Sequence, residues 1–318
     1  MEIRENIALA QYTTLKAGGP AKFFCEAEDE EEILEALEFA EEKKQPVFVL
    51  GGGSNILVSD KGFDGVVIRL RNSQLVIRNL DIICDSGCQL SKVVSESVKA
   101  GLTGLEWAAG IPGTVGGAVW GNAGAFNGSM SEVVESVKVI EIPNPKSEKL
   151  NNIKYQILNL KNKECEFAYR DSIFRQNPIL IILCVALNLK KGDKTKSEKR
   201  VREIIAQRKE KQPFDYPSSG SFFKNSLAKS KKMLEEFEKD TGDKAKNNVI
   251  PAGYLIDRLG LRGKKIGGAM VSQAHGNFLV NSGKAKAEDF IILAAIIKSR
   301  VRNKFGIQLK EEVQMVGF

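Results

Sequence analysis

Two glycine-rich stretches have the clearest capacity for chemistry. Gly51-Gly52-Gly53-Ser54-Asn55 follows a short apolar run, and Gly110-Ile111-Pro112-Gly113-Thr114-Val115-Gly116-Gly117-Ala118 is followed by Gly121-Asn122-Ala123-Gly124. Backbone amides in such turns can converge on an anion because no side chain blocks the approach. Two in one chain suggest a ligand with phosphates; two merely tight turns are the alternative. The dinucleotide fingerprint G-x-G-x-x-G fails, since Ile56 follows where the pattern breaks and no acidic residue stands about 20 positions later to hold a ribose. The P-loop pattern fails too, because no Lys-Ser/Thr follows Gly116-Gly117. His275 is the chain's single histidine, and a lone histidine reads better as a structural hydrogen-bonding residue than as a base. The cysteines, Cys25, Cys84, Cys88, Cys165 and Cys184, are scattered and odd in number. They predict buried thiols, with no disulfide framework and no metal site.

The elements that must position these loops can be read in outline. Phe23–Ala27 is strand-like, and Asp29 with Glu32 opens a helix whose Ile33, Leu34, Leu37 and Ala40 form one stripe. Val47–Leu50 runs as a strand into the first glycine loop, and Gly65–Leu70 follows as another. Further strands are expected at Asp81–Ser86, Val133–Ile142 and Ile179–Leu189, with a helix at Leu90–Ala100. Ser197 begins a helix with Val201, Ile204 and Ile205 on one face. A last helix, Ala287–Lys304, stops at Gly306, and a final strand spans Ile307–Val316. The order is α+β, not a regular βαβ array.

Composition narrows the function classes. The net charge of +7 could serve nucleic acid or small anions. Much of it lies in mixed runs, Lys190–Lys211 and Lys229–Lys246, that read as solvated helix faces, and no basic stretch is studded with base-stacking aromatics, so nucleic-acid binding is not expected. The longest apolar run, Ile179–Leu187, is far short of the roughly 20 residues of a membrane helix. Nothing in Met1–Ala10 resembles a secretory h-region. The expectation is a cytoplasmic protein without a membrane partner.

Several motifs in order then carry a resemblance: Thr14-Leu15-Lys16-Ala17-Gly18-Gly19-Pro20-Ala21, the two glycine stretches, Tyr169-Arg170-Asp171-Ser172, Gly220-Ser221-Phe222-Phe223-Lys224-Asn225, Ile266-Gly267-Gly268-Ala269, Asn277-Phe278-Leu279-Val280-Asn281 and Glu312-Val313. Together they closely resemble the UDP-N-acetylenolpyruvoylglucosamine reductase family over nearly the whole chain. The resemblance implies non-covalent FAD in a PCMH/VAO-type fold, that of p-cresol methylhydroxylase and vanillyl-alcohol oxidase. Residues 1–70 and 71–217 would be two α+β FAD-binding subdomains, and 218–318 an α+β substrate-binding domain. Gly51, Gly52, Gly53, Ser54 and Asn55 would cradle the pyrophosphate. Gly110, Ile111, Pro112, Gly113, Thr114, Gly116, Gly117, Ala118, Asn122 and Gly124 would wrap the flavin side.

The implied substrates are NADPH and UDP-N-acetylglucosamine enolpyruvate, whose double bond is conjugated with a carboxylate. Its reduction builds an enolate that needs fixed positive charge and one proton. A guanidinium such as Arg170 can bind a carboxylate bidentately, though an ion pair with Asp171 would use it equally well. The family pattern selects Arg170 to stabilise the enolate, Ser221 among three neighbouring serines as proton donor, and Glu312 rather than Glu311 to share a proton or orient the acid. Lys211, Lys224 and Asn225 are candidates for the diphosphate, the carboxylate or the nicotinamide nucleotide. Rival readings are another FAD oxidoreductase of the same fold and a non-catalytic nucleotide-binding protein.

The chain departs from the family at three places. Ser226 and Glu311 replace prolines, and a charged stretch, Lys229–Asn248, expected as a surface helix, is added. Residues Asp171–Pro217 leave no room for the extra loop whose tyrosine covers substrate in some members, so no such tyrosine is assigned.

Overall fold

In the computed structural model, which describes residues 1–142 and 155–318, the chain separates into two units. One contains Met1–Glu5, Phe23–Gly52 and Gly65–Arg208; the other contains Asn6–Lys22, Gly53–Asp64 and Lys209–Phe318. These run across the sequence boundaries at 70/71 and 217/218. Backbone pairing supplies the reason within the second unit: strand Ile56–Val58 pairs in parallel with strand Gln314–Val316. There too, Asp60 accepts from the backbone N–H groups of Ala287 (2.8 Å) and Glu288 (3.0 Å) at the start of a helix.

In the first unit, helix Glu30–Glu42 starts where Asp29 accepts from the Glu32 N–H, and it carries three glutamates in its first turn. Such a cap and such charges offset the unbonded N–H groups of a helix start. Its buried stripe, Ile33, Ala36, Leu37 and Ala40, packs on Cys25, Ala27, Val66 and Ile68. Strand Val47–Leu50 pairs in parallel with Val66–Arg69, which aims the chain straight into the first glycine loop.

The same unit holds a five-stranded antiparallel sheet in the order Gln156–Lys161, Val134–Glu141, Leu180–Asn188, Asp81–Asp85, Leu75–Arg78. The apolar run 180–187 reads continuously because both of its faces are covered. Val185, Leu187, Leu180 and Ile182 join the core around helix Leu90–Lys99, while Ile181 and Leu183 join the core under helix Glu30–Glu42. A register shift opposite Lys138 and Val139, which pair with Cys184 and Ile182, skips Leu183 and swaps which parity faces which core.

Helix Lys194–Lys211 starts three residues before the expected Ser197, with Asp193 accepting from the Lys196 N–H. Its buried stripe is also different. Ile205 is 37% exposed, and the line Ser197, Val201, Ile204 continues instead to Arg208.

The second unit is built on an antiparallel sheet, Ser218–Ser221, Phe278–Asn281, Ala269–Val271 and Lys265–Ile266 in that order, whose core is shared with helices Ala252–Asp257 and Ala287–Phe305. Gly306 ends the last helix in the left-handed conformation (φ 68°). The final strand is shorter than expected, Gln314–Val316. Before it, Ile307 and Leu309 are buried, and Phe223 and Glu311 form an isolated bridge. The added charged stretch forms helix Lys231–Thr241, and one side of it is not solvated: Phe237 is buried edge-on to Tyr254, whose hydroxyl donates to Asp240.

Asn277, 2% exposed, is the side-chain clamp of this unit. Its Oδ1 accepts from the Phe223 N–H and its Nδ2 donates to the Phe223 carbonyl. Asn277→Ala leaves two buried backbone groups unbonded, each costing about 1–3 kcal/mol. Chemical denaturation should show a loss of about 2–4 kcal/mol, and a loss under ~0.5 kcal/mol would contradict the clamp.

Candidate active site

In the first unit the two glycine stretches meet backbone to backbone. A Cβ on Gly52 would stand 2.5 Å from the Gly113 Cα, and one on Gly51 would stand 2.6 Å from Thr114 Oγ1. No other residue type allows that approach. The second stretch is fixed from below: Gly116 N–H donates to Ser86 O, Val115 N–H to Cys88 O, and Leu90 N–H to Gly113 O. Gly116 and Ala118 therefore face inward and are buried, whereas Gly110, Pro112 and Gly117 are exposed. Ile111 is half-buried against the core.

Asn122 (φ 41°) is 6% exposed, and its side chain is committed inside the unit. Its Nδ2 donates to Ala168 O (2.8 Å) and its Oδ1 accepts from Ser131 N–H (3.0 Å). The first of these bonds holds the turn that carries Arg170. Ala168 and Asp171 exchange backbone hydrogen bonds across the turn, and Arg170 adopts φ 55°. A left-handed arginine costs roughly 1–2 kcal/mol, so its neighbours must enforce it. Arg170 Nη2 donates to Gly124 O (2.7 Å), and its guanidinium lies 5.5 Å from the Tyr169 ring centre. Arg175 donates to the Arg170 carbonyl and stacks 4.9 Å over Trp120. Asp171 accepts from Ser172 N–H and Gln176.

In the second unit the backbone joins the segment after Ser221 to the segment that carries Glu312. Glu312 N–H donates to the carbonyl of Phe222, the residue after Ser221, and Lys224 N–H donates to Lys310 O. Ser221 is half-buried at the end of its strand, opposite Phe278, after an irregularity containing Gly220 (φ 78°). Glu312 O accepts from Asn55 Nδ2, and Asn55 O accepts from Gln314 N–H, which ties the first glycine loop's last residue to the glutamate. Gly53 (φ 62°) lies against Tyr12, its carbonyl accepts from the Thr14 N–H, and Ser54 O accepts from Thr14 Oγ1. Glu311, where the family has proline, is paired with Lys298 at 2.7 Å. Asn225 Oδ1 accepts from Ala252 N–H, and Lys211 is exposed at the end of its helix. His275 is structural: its Nδ1 accepts from Asn277 N–H, and burial lowers its pKa.

Among the described residues, three buried polar side-chain atoms make no hydrogen bond: Ser86 Oγ, Arg208 Nη2 and Ser219 Oγ. Ser86 underlies Gly116, and Arg208 abuts Gly110, so both first-unit orphans lie against the second glycine stretch. An unbonded buried donor costs about 1–3 kcal/mol, comparable with the return on Arg208's one bond, to Ala109 O. Packing alone does not account for such a residue. Side-chain-free backbone and unpaired buried donors suit a polar, phosphate-bearing cofactor such as FAD. The sequence reading passed over Arg208 because its helix looked uniformly charged; the spacing 197, 201, 204, 208 was the available signal. Gly52→Ala should purify with little flavin, since the added methyl collides with backbone that cannot step aside. Flavin absorbance per mole of protein checks this, and a normal ratio would refute the close approach.

Comparison with known proteins places these features. A model of the FAD binding domain matches residues 21–149, and one of the C-terminal domain of UDP-N-acetylenolpyruvoylglucosamine reductase matches residues 212–316. The chain is 38% identical to the UDP-N-acetylenolpyruvoylglucosamine reductase of Clostridium novyi over 99% of its own length and 92% of that protein's. It is 36% identical to the reductase of Caldanaerobacter subterraneus, over 98% and 93%. The crystal structure of the reductase from Thermus caldophilus superposes with a TM-score of 0.75 at 34% identity, covering 99% of this chain and 100% of that one. The α+β FAD-binding fold of PCMH/VAO type is thus the observed one. With the glycine cradle and whole-length similarity in agreement, the chain belongs to the UDP-N-acetylenolpyruvoylglucosamine reductase family.

Proposed function

We infer that this chain uses NADPH to reduce UDP-N-acetylglucosamine enolpyruvate to UDP-N-acetylmuramate, an FAD-dependent step of peptidoglycan synthesis. The observation that carries the reading is the register that sets Glu312 opposite Phe222, one residue along from Ser221, in a chain of this family. Bound FAD supplies the two-electron chemistry, taking reducing equivalents from NADPH and giving them to the olefin. Residues 1–70 and 71–217 serve the cofactor in this reading, and 218–318 the substrate.

The substrate's carboxylate is conjugated with its double bond, so reduction at the terminal carbon loads negative charge onto the neighbouring carbon and the carboxylate. A fixed guanidinium stabilises that charge most when it is already oriented. Arg170 has this character: its turn is closed by backbone bonds and its side chain is anchored on Gly124 O. Ser221 gives its hydroxyl proton to the carbon next to the carboxylate. Glu312 shares a proton with the carboxylate or orients that hydroxyl. Lys224, Asn225 and Lys211 are assigned to the diphosphate, the carboxylate or the nicotinamide nucleotide, and Gly51–Asn55 with Gly110–Gly124 to FAD. Among the described residues no helix is long and apolar enough to cross a membrane. A UDP-sugar and NADPH are cytoplasmic metabolites, and the chain is placed there.

Ser221→Ala should still have its flavin bleached by NADPH, while reoxidation by the enolpyruvyl UDP-sugar slows about 10²–10⁴-fold. Stopped-flow flavin absorbance reads both half-reactions separately, and unimpaired reoxidation would remove Ser221 from the proton transfer. Glu312→Gln should keep more turnover than Glu312→Ala, because the amide preserves hydrogen bonding; the opposite ranking would exclude that role.

A further inference from the structure

Arg208 lies outside both matched stretches, 21–149 and 212–316. It occupies the last turn of helix Lys194–Lys211, on the buried line that also holds Ile204, and is 8% exposed. Its Nε donates to Ala109 O at 2.8 Å, its guanidinium lies 5.2 Å from the Phe126 ring centre, and its Cδ sits 2.9 Å from where a Cβ on Gly110 would be. Three parts of the side chain are thus fixed on the rim of the second glycine stretch, while Nη2 is buried without a partner. Burial depresses the guanidinium's pKa with no carboxylate to offset it.

A buried charge held rigidly and left half-bonded is costly unless a ligand completes it. The rigid fork of arginine can serve the protein through Nε and a ligand through Nη2 at once, which a single ammonium cannot do in that geometry. The stretch it abuts belongs to the FAD binding domain. We propose that Arg208 is a cofactor-binding residue, preset by Ala109 and Phe126, whose Nη2 donates to an electron-rich oxygen of FAD. That oxygen belongs either to the diphosphate or to the carbonyls of the flavin ring.

The test is titration of wild-type, Arg208→Met and Arg208→Lys apoproteins with FAD, read by flavin fluorescence, with melting temperatures taken with and without FAD. Arg208→Met should bind FAD at least tenfold more weakly and show a smaller FAD-induced rise in Tm. Its apoprotein should melt no lower than wild type, because the unpaired buried charge is gone. Arg208→Lys should lose affinity by a smaller factor, and it carries the test should the methionine variant fail to fold. Arg202→Met, on an exposed position of the same helix, should bind FAD normally. Residual bound flavin with unshifted absorption bands would place the contact on the diphosphate; shifted bands would place it on the ring. FAD affinity within twofold of wild type in the variants would overturn the proposal. So would equal Tm losses with and without FAD, which mark a purely structural arginine. Failure of the wild-type protein to bind FAD would instead sink the cofactor reading itself.

Discussion

The first unit depends on backbone touching backbone at Gly52 and Gly113. A contact at that range leaves no room for a side chain on Gly52, while Gly113 adopts φ 112°, a conformation that favours glycine. It also fixes direction: the parallel strand Val47–Leu50 must deliver Gly51 and Gly52 to the point where the turn at Cys88 delivers Gly113. Helix Glu30–Glu42 and the two-faced strand Leu180–Asn188 are the means of holding those strand ends still, through cores on either side of one sheet. Burial of that size is the main stabilising term available to a domain, and here it is spent on placing loops rather than side chains.

The second unit works by register. Residues 222–224 and 310–312 are far apart in sequence, and they meet in a short antiparallel match held by Asn277 on one flank and Asn55 on the other. Glu311 is paired with Lys298 and bridged to Phe223, and buried Ile307, Leu309 and Val313 anchor the same segment.

Much of this was legible in the sequence, and the failures have physical causes. Strand Val47–Leu50 and helix Glu30–Glu42 were visible because local signals, an apolar run, an aspartate cap and a periodic stripe, agree with the tertiary outcome. The glycine stretches announced an anion site, although no spacing rule could say that they touch each other. The end of the chain misled because alternation of apolar residues continues through 307–313, where the backbone makes one isolated bridge, Phe223 with Glu311, in place of a full strand. The bonds of the Asn122 amide to Ala168 and Ser131 could not be read from its motif. Arg208 was missed for the opposite reason: a charge on a helix rich in Lys and Glu is assumed to face water, and its place on the buried line through Ser197 and Ile204 shows only in the helical spacing. The match of 222–224 with 310–312 could not be read at all, since register between distant segments is set by packing and not by either segment alone.

The stretch 110–124 does more than one job. Its first half offers bare backbone, and its second half is the scaffold of the Arg170 turn. Gly124 O receives the guanidinium, Asn122 holds Ala168, Trp120 O accepts from Ser172 Oγ, and the Trp120 ring seats Arg175, which bonds the Arg170 carbonyl. Arg170 is kept in an unfavourable backbone conformation by its own closed turn and by several contacts that this one segment supplies. Any movement of the glycine stretch therefore moves the cation with it. The position of the Arg170 charge is thus inherited from the glycine stretch, and the distance between the two is set by one continuous segment of chain instead of by separate elements that could drift apart.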